Sequence, residues 1–151
     1  MKRRWSGVFV ILIICFIWGN SLMPARISKE FSNFVRDILN AAFFSAHDSA
    51  GIKGTAVLRK IAHATEFAAL GVAAALFVKR HWKRRIATLL LWGIMVALVD
   101  ETIQIFVAGR GSQVRDVWID FSGFLLGCAI CLGISYIKNR LRQKKTAAPR
   151  G

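Results

Sequence analysis

Acidic residues are scarce in this sequence. Eight Asp and Glu stand against 22 Lys and Arg, and three stretches (residues 1–6, 79–85 and 138–151) hold fourteen basic residues and no acidic one. A formal net charge of +14 would point toward nucleic acid in a soluble protein. The aromatic residues, however, sit inside apolar runs and are not interleaved with basic residues on a polar element, so no nucleic-acid partner is expected. Proline is nearly absent, at two residues, and nothing in the chain has the composition of a disordered or low-complexity segment. The three cysteines, Cys15, Cys128 and Cys131, all fall in apolar runs. Cys128-x-x-Cys131 has a redox or metal spacing but lacks companion ligands, and the pair reads as small apolar filling.

What the sequence has in quantity is apolar length, with 55% of its residues hydrophobic. Four runs stand out, at 7–23, 57–78, 86–107 and 117–137, and the last three have the roughly 20 residues that a bilayer span requires. The first is shorter because Asn20 and Ser21 interrupt its end. It follows Lys2, Arg3 and Arg4 but is not followed by a small-x-small cleavage site, so an uncleaved anchor is expected. The chain length allows one domain, 1–151, ending in a basic tail over 138–151. The expected architecture is an all-α integral membrane bundle of four transmembrane helices. The three acid-free basic stretches then fall on one side, and the positive-inside rule makes that side cytoplasmic, together with both termini.

The segment between the first two runs, "ARISKEFSNFVRDILNAAFFSAHDSAGIKG", carries Ile27, Phe31, Phe34, Val35, Ile38, Leu39, Ala42 and Phe43 at helical spacing. It predicts an exterior amphipathic helix lying on the outer membrane surface or over the mouth of the bundle.

The later runs contain polar residues at one depth. At about 1.5 Å per residue, His63 and Glu66 lie roughly 7 and 12 Å below the outer boundary of the hydrocarbon. Asp100 lies roughly 9 Å below it by the same count, with Glu101 and Gln104 shallower, Asp120 just under the boundary and Asp116 at it. His63 and Glu66 are three apart and Asp100 and Gln104 four apart, so each pair shares a helix face. Asp116, Asp120, Gly123 and Gly127 make one stripe, with carboxylates above and a small-xxx-small packing surface below, suited to an alanine-rich neighbour such as 57–78.

An isolated carboxylate at the bilayer centre costs about 2.5–3.5 kcal/mol on insertion scales. Glu66, Asp100 and Glu101 must therefore face the bundle interior, where Lys60, His63, Arg110 and Arg115 are the cations in reach. One reading is a set of interhelical ion pairs that only fixes the bundle. The other is an outward-facing pocket that binds a ligand. Arg110, flanked by Gly109 and Gly111, suits bidentate contact with phosphate or carboxylate. The acids match no dedicated metal motif, so no metal site and no cofactor is assigned; a hard divalent cation on oxygen ligands is the alternative. No Ser–His–Asp order is arguable, and a proton relay through Glu66, His63 and Asp100 would lack a path across the inner half.

Two stretches, "RKIAHATEFAALG" (59–71) and "DETIQIFVAGRGSQVRDVWIDFSGFLLG" (100–127), together with "NSLMPARISKEFS" (20–32), resemble the VanZ-like family of small bacterial membrane proteins. His63, Glu66, Asp100, Glu101, Gln104, Arg110, Asp116 and Asp120 fall on the polar positions of that family's pattern. Ala108 departs from it, standing where the family usually has Pro before Gly-Arg. The resemblance implies a cell-envelope protein of a family whose founding member is linked to teicoplanin resistance, and it supplies no reaction. The function expected is binding or shielding of a membrane lipid or lipid-linked envelope component, with lower glycopeptide susceptibility. The alternative is a membrane-embedded hydrolase or transferase acting on lipid-linked phosphate or a cell-wall precursor.

Overall fold

The computed structural model describes residues 2–43, 54–78 and 82–147. The end of the exterior segment, Lys79 and Arg80 of the basic turn, and Arg150 of the tail lie outside the described residues. Among those described there are five helices and no strand: α1 Lys2–Ser21, α2 Ala25–Phe43, α3 Thr55–Val78, α4 Trp82–Ile105 and α5 Val114–Ala147.

Three of them are long and apolar enough to cross a bilayer: α3, the part of α4 from Arg85 to Ile105, and the part of α5 from Val114 to Gln143. α1 and α2 meet the same test only together, and they are bent against each other by 105°. The described residues therefore form an all-helical fold with three candidate spans, or four if the bent α1–α2 pair makes one, as the hydropathy implies. Pro24 explains the bend. Its ring disfavours a helical Met23 and it offers no N–H to α1, while its carbonyl accepts from Ser28 N at 3.1 Å and opens α2.

The one long departure from expectation is at the C-terminal side. The helix does not stop at 137 but continues to Ala147 through "KNRLRQKKTA". Lys, Arg, Gln and Leu are good helix formers, and no Pro or Gly stands in the way before Pro149. At 34 residues α5 is about 51 Å long, so it outruns a hydrocarbon core of about 30 Å, and its basic end leaves the apolar layer.

Packing centres on α3 and α5. A Cβ on Gly123 would collide with the carbonyl oxygen of Ala64, one on Gly127 with that of Ala68, and one on Gly71 with that of Phe124. Two helix backbones thus run in direct contact over three levels, as small residues permit in a bilayer. Gly93 of α4 receives the ring of Phe124 in the same way. Ile17, Phe67, Leu70, Ala97 and Phe124 fill the interior.

The surface is the reverse of a water-soluble protein's. Phe9, Leu12, Phe16, Trp92, Leu126 and Ile134 are exposed, while Asp100, Glu101 and Asp120 are buried. Such a pattern loses free energy in water and gains it in lipid.

Candidate functional site

The polar residues meet where the C-terminal ends of α1 and α4 approach the N-terminal parts of α2, α3 and α5. On α4, Gln104 lies one turn beyond Asp100. Its Nε2 donates to Asp100 Oδ2 at 2.9 Å and to Glu101 Oε1 at 3.1 Å, so one amide joins both carboxylates. The second oxygen of Glu101 accepts from Ser112 Oγ at 2.7 Å and from the backbone N of Gln113 at 3.2 Å. Glu101 thereby holds the loop that leads into α5.

That loop begins with a turn. Arg110 N donates to Val107 O at 3.1 Å, and Gly109, third in the turn, has φ +76°, a left-handed conformation that a Cβ resists. This is the pattern of a type II turn, in which the second position favours proline. Ala108 occupies that second position. The turn delivers Arg110 to the ends of α1 and α2, where its Nη2 donates to Asn20 O at 3.0 Å and to Ser28 Oγ at 3.3 Å. Nε and Nη1 of the same guanidinium are buried without a protein partner. Burial first, and then the neighbouring Arg59, push the Arg110 pKa down.

α3 contributes four groups. Lys60 pairs with Asp116 at the rim. His63 is buried, its Nδ1 3.8 Å from Asp100 Oδ2. Arg59 lies on the cavity wall. Glu66 turns toward α1, accepting from Asn20 Nδ2 at 2.8 Å. The last member, Asp120 of α5, is buried with Oδ2 unpartnered.

These groups surround a cavity of about 30 Å³. Of the eight residues assigned to the pocket from the sequence, six line it: His63, Glu101, Gln104, Arg110, Asp116 and Asp120. Asp100 is fully buried beside Gln104 and His63. Glu66 shares a helix with His63 but is engaged by Asn20 and does not line the cavity. Arg115, counted among the cations in reach, points elsewhere; it is exposed and lines an apolar groove between α3 and α5. One residue along an α-helix is a 100° rotation, which carries it away from Asp116's face. Gly123 and Gly127 lie below on the α3–α5 contact, as described above.

Sequence reasoning did not include Arg59, Asn20 and Ser28 in the site. Arg59 was legible, lying four residues before His63 on a helix. Asn20 and Ser28 enter only because of the bend between α1 and α2.

A bundle with lipid-type apolar faces and its carboxylates and guanidinium gathered inside one end is a polytopic α-helical membrane protein. Residues 7–137 match the VanZ/LLP1 family, and the chain belongs to that family. No curated protein and no solved structure matches it.

Proposed function

We propose that the protein serves a bacterial cell envelope by receiving the anionic end of a membrane lipid or lipid-linked envelope component in the cavity beneath the 107–113 loop. The observation that carries this reading is the Arg110 guanidinium. It is half-buried and committed through Nη2 alone, and two further donors lack a protein partner. Arg59 and Lys60 line the same cavity. A phosphate or carboxylate there would meet the unspent donors of a planar fork.

The size of the cavity supports a headgroup rather than a drug. At about 30 Å³ it has room for about two waters, so a phosphate-sized group enters by displacing them and a glycopeptide does not enter at all. Lower teicoplanin susceptibility would then follow from shielding the envelope component, not from capture of the antibiotic. In this reading the cavity faces outward and both termini are cytoplasmic, in keeping with the acid-free basic stretches. α2 lies on the outer leaflet with its exposed ridge of Ile27, Phe31, Phe34 and Ile38 in lipid, while Ser28 packs on the bundle.

The test is lipid retention. Protein extracted directly from envelope membranes into nanodiscs is analysed by mass spectrometry, comparing the wild type with Arg110→Gln. Enrichment of an anionic or lipid-linked species on the wild type alone is expected. Equal lipid content in the two would end this reading.

A second reading has one observation in its favour: His63, Asp100 and Asp120 stand close to the cation-lined wall. A hydrolase or transferase acting on lipid-linked phosphate would place those groups there. It requires an altered lipid or muropeptide profile in expressing cells, and unchanged profiles exclude it.

A further inference from the structure

We propose that His63, Asp100 and Asp120 hold a divalent transition-metal ion of the zinc class at the floor of the polar cavity. Each residue comes from a different helix, α3, α4 and α5, so the group is a product of the fold and not of a local motif. One ligand atom from each lies within 4.8 Å of the others. The three side chains are 8%, 0% and 2% exposed, and each has a buried polar atom without a partner: His63 Nδ1, Asp100 Oδ1 and Asp120 Oδ2.

No Lys or Arg among the described residues bonds these carboxylates directly, although Arg59 and Arg110 stand on the cavity wall. Lys60 is committed to Asp116, and Asn20 occupies one oxygen of Glu66. Both Glu101 oxygens accept hydrogen bonds, and Arg110 Nη2 is spent on Asn20 and Ser28. Among the described residues no Lys or Arg makes an ion pair with Asp100 or Asp120. Two aspartates buried together need a cation or a proton, and a dication beside a neutral imidazole meets that need directly.

The donor set selects the metal. One nitrogen and two carboxylate oxygens suit zinc and its first-row neighbours, whereas calcium and magnesium take oxygen alone. Gln104 Nε2, on Asp100 Oδ2, is the outer hydrogen bond that orients a carboxylate ligand. Three protein ligands leave a coordination position open, and His63 and Asp120 line the cavity whose wall carries Arg59 and Arg110. The ion would present that position to the anion of the proposed function. This last point rests on that reading; the metal site itself does not.

The experiment uses zinc alone, with no anionic lipid added. Wild-type protein with a histidine-free tag is purified in detergent, stripped with chelator and titrated with Zn²⁺. One ion per chain is expected, with no displacement by excess Mg²⁺ or Ca²⁺. Gln104→Ala should weaken binding by about 10–100-fold, and the His63→Ala/Asp120→Asn double variant by more than that. Cys128→Ser/Cys131→Ser should bind like the wild type. All variants are judged on monodisperse material.

No uptake by the wild type overturns the site, as does a double variant that binds equally well or binding lost only with the cysteines. Anion retention by chelator-treated protein is measured separately. If it persists while zinc binding fails, the proposed function stands without the metal; if zinc binds and anion retention is absent, the converse holds.

Discussion

Arg110 donates to the backbone carbonyl of Asn20 at 3.0 Å, across 90 residues of sequence. That carbonyl lies in the last turn of α1, four residues before Pro24, which has no N–H to give it, and its other donor is Met23 N at 3.2 Å. One guanidinium atom therefore shares in closing a helix end, and the rest of the fork stays available to the cavity.

The two roles separate by substitution. Arg110→Gln should lower stability by about 1.5–3 kcal/mol, the range for hydrogen bonds to charged groups. Arg110→Lys keeps the charge but not the fork, and it should recover more of the stability than of the lipid retention. Thermal unfolding in detergent reads the first quantity and lipid mass spectrometry the second. Equal recovery of both would show that the fork geometry is irrelevant.

Glycine positions on α5 should respond in opposite directions. Gly127→Ala drives a Cβ into the Ala68 carbonyl, and separating two helix backbones should cost roughly 1–3 kcal/mol. Gly133 has nothing within 4 Å of where its Cβ would stand, so Gly133→Ala should gain about 0.5–1 kcal/mol from helix propensity. Unfolding midpoints of the two variants decide it; a Gly127→Ala protein as stable as the wild type would contradict the close α3–α5 contact.

The turn before Arg110 offers a similar contrast. At Gly109 a Cβ would sit in left-handed backbone and 3.2 Å from that of Ala25, so Gly109→Ala should cost roughly 1–2 kcal/mol. Ala108→Pro restores the residue the family pattern usually has and should stabilise by about 0.4–1 kcal/mol through the unfolded chain. Destabilisation by Ala108→Pro would show that this turn is not the type that accepts proline.

Glu101 is the loop's fastening, which answers part of why two adjacent carboxylates stand in an apolar run. In Glu101→Gln one oxygen becomes an NH₂ that meets, donor against donor, either the Gln104 amide or the Gln113 N–H. A donor left unsatisfied at this buried site costs about 1–3 kcal/mol. Hydrogen exchange of the 106–113 segment should accelerate in the variant while that of α3 is unchanged. Unaltered exchange at Gln113 would remove Glu101 from this role.

These contacts show what was legible beforehand. Helix number and span follow from apolar length, because a bilayer sets one length for every crossing element. The Asp100–Gln104 pair follows from the helical repeat alone. The extension of α5 past 137 was hidden because Lys and Arg end a hydropathy run without ending a helix. Glu66 could not be assigned to Asn20, nor Arg110 to Ser28, because both contacts depend on the angle between α1 and α2 at Pro24. Arg115, counted among the cations in reach, lies on the outer α3–α5 groove, because one step along the helix turns it 100° from Asp116.

Orientation provides the last prediction. If the acid-free basic stretches are cytoplasmic, the loop carrying Arg110 is outside and the end of α5 inside. With Cys15, Cys128 and Cys131 replaced by serine, a single cysteine goes in at Gly111, which is exposed, or at Gln143, at the basic end of α5. A membrane-impermeant maleimide applied to intact cells should label Gly111→Cys and spare Gln143→Cys until the cells are opened. The reverse pattern would turn the cavity toward the cytoplasm. An envelope component assembled on the outer leaflet could then not be its ligand, and the anion bound beside Arg110 would have to be sought among inner-leaflet lipids.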